Sequence, residues 1–243
     1  MSRRATLATA RRILAQLRGD PRTIALILIV PLVLLGLLKL LLENDEATFQ
    51  KVGAPLLGIF PLVVMFLVTS VTMLRERTSG TLERLMTLPL GKADLVVGYG
   101  LAFAVVAAAQ AVVAAAFAVG VLGLEVGGST AGLVVIAILN AELGMAFGLG
   151  LSSFATTEFQ AVQFMPAFIL PQFLLCGLLV PRSAMSPALD TLAGLLPMTY
   201  AYEALADVAA GDASGAARAA AVTFGFCLAA LALGTLTLRR RTG

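Results

Sequence analysis

Apolar positions along the chain gather into long, nearly uninterrupted runs, and the charged positions gather in the gaps between them. An α-helix needs roughly 20 apolar residues to cross the hydrocarbon core of a bilayer. Six such spans are predicted, at 24–42, 53–74, 95–124, 133–151, 161–180 and 219–238. Three of them contain prolines (Pro31; Pro55 and Pro61; Pro166 and Pro171), which membrane helices absorb better than soluble ones. Lys39, near the end of the first span, has a stem long enough to snorkel outward. Ahead of the spans, residues 4–18 obey a different rhythm. Leu7, Ala10, Leu14 and Leu17 recur at helical spacing, and Arg4, Arg11 and Arg18 follow on a neighbouring strip. That predicts an amphipathic helix lying in the headgroup plane of an anionic surface, with a solvated basic tail as the alternative. Gly19 breaks it, Asp20 is placed to cap the next helix, and Pro21 suits a first turn.

Two gaps depart from simple turns. Residues 75–94 hold Arg75, Arg77, Arg84 and Lys92 together with Glu76, Glu83 and Asp94. Leu74–Thr78 should carry the second span onward, Gly80 should stop it, and Thr81 should cap a short second helix. Leu82, Leu85 and Met86 would form its apolar face, and Pro89 would end it. The predicted shape is a knob able to dock on a partner; a solvated loop is the alternative. Residues 181–218 hold two apolar stretches, near 188–196 and 202–210, too short to cross and suited to re-entrant or interfacial half-helices. Glu43, Asp45 and Glu46 form an acidic turn after the first span, and Gly127-Gly128-Ser129 reverses the chain after the third.

Composition decides the class. Of the 243 residues, 59% are hydrophobic and 13% charged, whereas soluble domains carry about a quarter charged. The fold class is therefore an all-α integral membrane protein. Of the 17 Lys and Arg, the N-terminal arm has six, the 75–94 loop four and the C-terminus three, leaving Lys39, Lys51, Arg182 and Arg218 for the other side. This asymmetry predicts cytoplasmic N- and C-termini. No small-residue cleavage pattern follows the first apolar run, so a retained helix is expected rather than a signal peptide.

The candidate chemistry is sparse. The chain has no histidine, and Cys176 and Cys227 both lie in apolar runs as small buried hydrophobes. Pro89-Leu90-Gly91-Lys92 lacks the flanking glycine and Ser/Thr of a phosphate-cradling loop. Gly150-Leu151-Ser152-Ser153-Phe154 is no nucleophile elbow, and no cluster has metal-ligand spacing. No catalytic residue, metal or cofactor is expected in this chain. Glu142 is the ionisable group placed mid-span. It should face a cavity as a cation-attracting or protonatable site, or make a structural hydrogen bond to another helix or across a dimer seam. Asn140, also a path candidate, lies on a different helical face from Glu142, so the two do not form one site. Gln110, Gln163 and Gln172 are uncharged polar groups in spans, path candidates whose commoner role is a helix–helix hydrogen bond. Gly144 and Gly148 permit close helix approach.

The run Arg75-Glu76-Arg77-Thr78-Ser79-Gly80-Thr81-Leu82-Glu83-Arg84-Leu85, with Pro89 after it, resembles the membrane subunit of ABC type-2 exporters. So does Leu196-Pro197-Met198-Thr199-Tyr200-Ala201-Tyr202-Glu203-Ala204-Leu205 before the last span. The resemblance extends over the whole layout of basic amphipathic helix, six spans and large fifth external loop. It implies a half-transporter of the bacterial cytoplasmic membrane, paired with a second copy and with two copies of a separate ATP-binding subunit that holds ATP and Mg. The 75–94 loop would then be the coupling helix, with Glu76, Arg77, Gly80, Thr81, Leu82, Glu83, Arg84 and Leu85 passing ATPase closure to the spans. The half-helices after span five would close the external mouth. The implied function is export of hydrophobic or amphipathic compounds. Export of a lipid-linked glycan or envelope component, and an ion-coupled carrier working alone through Glu142, are the alternatives. Membrane lipid is an expected partner; nucleic acid is not.

Overall fold

The computed structural model describes residues 3–87 and 91–237, and the side chains of Leu82, Glu83, Met86, Lys92, Ala93, Thr235, Leu236 and Thr237 lie outside the description. Pro89, and Leu238 at the end of the sixth predicted span, lie outside the described residues. Among the described residues the regular elements are all helical. The helices are α1 (Arg3–Arg18), α2 (Pro21–Leu41), α3 (Glu46–Thr78), α4 (Thr81–Thr87), α5 (Lys92–Gly120), α6 (Thr130–Leu151), α7 (Glu158–Leu175), α8 (Pro187–Ala193), α9 (Pro197–Ala210) and α10 (Ala213–Thr237). Five of them, α2, α3, α5, α6 and α10, are long and apolar enough to cross a membrane.

The boundaries follow local chemistry. Asp20 accepts from the Thr23 amide at 3.2 Å and caps α2, as its position before Pro21 predicts. Asp45 caps α3 in the same way, accepting from Thr48 N at 3.1 Å, so the helix starts at Glu46, well before the predicted 53. At 33 residues α3 is about 50 Å long, which overshoots an apolar core of about 30 Å. Lys39 does not snorkel freely: it pairs with Glu46 across the turn and lies 4.4 Å from the Phe49 ring centroid. α5 stops at Gly120, short of the predicted 124, because the chain turns at Gly123 with φ +73°. Leu124 then folds back into the core beside Gly53.

The fifth predicted span differs most. α7 runs over 18 residues and stops at Leu175, where 161–180 was expected to be helical throughout. Gly177 breaks the chain with φ +103°, and Tyr202 packs where a β-carbon there would sit. Three glutamines, Glu158 and two prolines dilute the helix's apolar character.

Packing is tightest between α3 and α6. A β-carbon on Gly144 would collide with the Leu62 carbonyl oxygen, and one on Gly148 would meet that of Phe66. The small-residue pair thus serves α3 within one copy of the chain. Phe168 of α7 closes over this seam, 5.0 Å from Phe147 and 6.4 Å from Phe66 by ring centroid. The short apolar stretches after span five do become helices, α8 and α9. α9 is inserted rather than loosely laid: Leu205 presses on Gly58 of α3, and the Gly127 amide donates to Ala209 O at 2.8 Å. At the periphery, α2 exposes Leu26, Ile29, Val33, Leu37 and Leu40, and α10 exposes Phe224, Leu228 and Leu233. An apolar band of that extent on two outer helices suits lipid rather than water. The chain is a multi-pass helical membrane protein.

Candidate coupling site at the α1 end of the bundle

The 75–94 loop begins as the last turn of α3, which ends at Thr78. Gly80 takes φ +70°, a left-handed conformation that L-residues with side chains disfavour. Its carbonyl accepts from Arg84 N at 3.1 Å, so Gly80 ends one helix and starts the next. Thr81, expected as the cap, is instead the first residue of α4, and its hydroxyl lies 2.9 Å from that of Ser79. α4 is seven residues long, and Arg84 and Thr87 on it are exposed. Leu85 is half-buried against the cluster of Met73, Leu95 and Tyr99, so at least this part of the apolar face turns inward. Gly91 and Asp94 restart the chain: the Gly91 amide donates to Asp94 Oδ2 at 3.1 Å, opening α5.

Above the loop, α1 is fastened to the bundle. Thr6, Thr9, Ala10 and Ile13 are its buried face. Thr9 fits the notch left by Gly98 of α5, where a β-carbon would come within 2.6 Å of Thr9 Cβ. Arg12 then reaches α3. Its Nη1 donates to Glu76 Oε1 at 2.9 Å and its Nη2 to Glu76 Oε2 at 3.2 Å, with Nη2 also 3.1 Å from Tyr99 Oη. Tyr99 itself donates to Glu76. Glu76 is 6% exposed. One carboxylate therefore ties together α1, α3 and α5, a link that the sequence pattern did not reveal because Arg12 and Glu76 lie 64 residues apart. Next to it, Arg75 donates from Nε and Nη2 to Glu158 of α7 at 2.8 and 3.1 Å. The hydrogen bond from Arg75 holds the Glu158 carboxyl below the usual carboxylate range. Arg77 is half-buried at the same helix end.

A bundle whose outer helices expose apolar bands, with a short helix between two long apolar ones, has the layout of a membrane component. Residues 4–209 match the family described as ABC-2 type transporter. The chain belongs to that family. Among curated relatives, it is 27% identical over 159 residues to the "Probable multidrug ABC transporter permease YbhR" of Escherichia coli strain K12. That match covers 65% of this chain and 43% of the relative. It is 25% identical over 141 residues to "ABC transporter G family member 20" of Dictyostelium discoideum, covering 58% of this chain and 19% of that protein. The chain thus spans less than half the length of the relatives it matches.

The path candidates of this ABC-2 protein are not gathered into one site. Gln110 donates to Ile27 O at 2.7 Å and binds α5 to α2. Asn140 donates to Ala201 O at 3.0 Å, and Gln172 Oε1 accepts from Met198 N at 3.4 Å, so both hold α9. Gln163 is on the exposed side of α7. Glu142 is half-buried on α6, and its Oε1 has no hydrogen-bond partner among the described residues. On the far side, Arg182 bridges Asp190 (Nε, 2.8 Å) and Glu203 (Nη1, 2.9 Å), while Tyr200 Oη donates to Gly194 O at 2.8 Å. These bonds lock α8 and α9 into one cap.

Proposed function

We propose that the chain is the permease component of an ATP-driven exporter that moves hydrophobic or amphipathic compounds out of the cytoplasm or the inner leaflet. The observation that carries this reading is the family match over residues 4–209, which includes α4, with Arg84 and Thr87 exposed, between two long apolar helices. A separate ATP-binding subunit supplies ATP and Mg, in two copies facing a pair of permeases. α4 is the coupling helix, with Gly80, Thr81, Leu82, Glu83, Arg84 and Leu85 meeting the ATPase. Glu76, held inside the bundle by Arg12 and Tyr99, passes the motion on rather than docking. Arg77 shares that helix end.

In this reading α7 completes a sixth span with the residues that follow it, and the α8–α9 cap forms the external side. Along the sequence, thirteen basic residues fall in the N-terminal arm, the 75–94 loop and the C-terminal stretch, against Lys39, Lys51, Arg182 and Arg218 in the other connections, which supports cytoplasmic termini in a bacterial cytoplasmic membrane. Glu142 carries a second reading, recognition of a cationic substrate, because a buried carboxylate oxygen without a partner is costly unless something visits it. Charge reversal of Arg84 tests the coupling assignment. The variant should insert and fold normally, yet lose most stimulation of ATP hydrolysis by substrate. Undiminished stimulation would remove α4 from the coupling role.

A further inference from the structure

Between α1, the start of α2 and the last turns of α3 lies a cavity of about 450 Å³. Its size falls in the range of about 300–1,000 Å³ typical of small-molecule sites. The wall away from the basic end is apolar, with Phe103, Val68, Val71 and Leu67 on the inside and Leu26 at the outer edge. The rim toward the basic end is polar: Gln16, Asp20, Arg75, Ser79 and Thr81. Leu26 is 60% exposed on the outer face of α2, so the apolar half borders the lipid-facing side. The cavity is therefore graded like a lipid, greasy inward and polar at one level.

The rim charges select the headgroup. Glu76 borders the cavity but is neutralised by Arg12 through two hydrogen bonds. That leaves, among the described lining residues, one anion, Asp20, and one cation, Arg75. Asp20 accepts from Thr23 at both carboxylate oxygens, and those bonds keep it ionised, below its ordinary range. Each oxygen retains a lone pair for a further donor. Arg75 spends Nε and Nη2 on Glu158, leaving Nη1 for an incoming acceptor. An anionic lipid such as phosphatidylglycerol would bring its phosphate to Arg75 but offer Asp20 only neutral hydroxyl donors, with no positive charge to balance the carboxylate. A quaternary ammonium could approach Asp20 but could not donate to it.

The geometry points to a resident zwitterionic phospholipid with a primary amine, of the phosphatidylethanolamine class, its phosphate on Arg75, its ammonium on Asp20 and an acyl chain along Val68, Val71 and Phe103. Ser79 and Thr81, which sit on either side of the Gly80 hinge, close the rim. The lipid thereby bridges the α1–α2 turn and the α3–α4 hinge, and would stiffen the base of α4. The inference needs the membrane assignment but not the exporter reading, since binding is measured without transport.

The test uses the purified full chain in detergent, titrated with phosphatidylethanolamine, phosphatidylcholine or phosphatidylglycerol. Retained lipid is counted by native mass spectrometry and the unfolding temperature is followed in parallel. Phosphatidylethanolamine should be retained best and should raise the unfolding temperature by roughly 5 °C at a large excess over its Kd. Val71→Phe, which fills the cavity, should lose that shift. Asp20→Asn keeps the helix cap, because asparagine caps as well as aspartate, and should cut the preference for the amine headgroup about tenfold. Equal retention in wild type and both variants would overturn the proposal. So would phosphatidylglycerol or phosphatidylcholine binding as well as phosphatidylethanolamine, or no lipid shifting the unfolding temperature.

Discussion

Removing Arg12 should cost this chain more than removing the residue it pairs with, although both changes break the same ion pair. The side chain of Glu76 is 7% exposed and that of Arg12 26% exposed. Arg12→Ala therefore strands a carboxylate inside the bundle, with Tyr99 its one remaining donor among the described residues. Breaking a buried pair by deleting one partner costs about 3–5 kcal/mol, and the exposure of Arg12 places this case near the lower bound, about 3 kcal/mol. Glu76→Gln instead leaves a neutral amide that can still bond to Tyr99, and a guanidinium that can turn to water. Its cost should be about 1 kcal/mol. Arg12→Met with Glu76→Met removes both charges and should recover most of the loss, since a buried ion pair is weak evidence of net stabilisation. Reversible unfolding in mixed micelles gives the free energies, and protease cleavage within α1 reports its release from α5. Arg12→Ala no worse than Glu76→Gln, or a coupling energy below about 0.5 kcal/mol, would refute the idea that Glu76 clamps three helices.

Other expectations follow from single contacts. Gly144→Ala and Gly148→Ala should each destabilise the monomer by about 1–3 kcal/mol, because each β-carbon meets a fixed carbonyl of α3; a change in self-association with unaltered unfolding would contradict this. Gly80→Ala should weaken the hinge by about 1 kcal/mol and Gly80→Asn by less, since only the conformation at φ +70° is at stake and nothing crowds the position; hydrogen exchange in α4 measures it. Asp20, Asp45 and Glu158 are all held below their ordinary values by hydrogen bonds, from Thr23, Thr48 and Arg75 in turn. Their contributions are present above the unfolded-state values near 4 and fade as pH falls through the lowered ones. Amide exchange at the starts of α2, α3 and α7 should therefore be flat from pH 8 to 5 and rise, after correction for intrinsic rates, only in stronger acid.

Much of this architecture lay open in the sequence because a membrane imposes long apolar runs that need no partner to be recognised. The cap at Asp20, the stop at Gly80 and the turn of 181–218 into short helices are all local features, visible within a few residues. What the sequence concealed was set by distance. Asp45 as the start of α3 required seeing a helix that outlasts the membrane core. The end of α7 at Leu175 depends on Gly177 meeting Tyr202, 25 positions on. Glu76 is grouped in the sequence with the coupling residues of the 75–94 loop, yet Arg12 and Tyr99 draw it inside. Gln110, Asn140 and Gln172 are path candidates in the sequence, with a helix–helix hydrogen bond the commoner role of the glutamines; their bonds to Ile27, Ala201 and Met198 become apparent only once the helices are assembled. The cavity at the α1–α2 turn had no trace in the pattern, since its walls come from five helices.

The central claim is that these helices move amphipathic compounds at the expense of another subunit's ATP. Proteoliposomes holding the chain, with and without its cognate ATP-binding subunit, test it directly through accumulation of a fluorescent amphipathic cation in inverted vesicles. Transport should require both components and hydrolysable ATP, and should vanish when Arg84 is reversed in charge. Uptake by the chain alone, driven by a pH gradient and lost in Glu142→Gln, would contradict the account and make this protein an ion-coupled carrier.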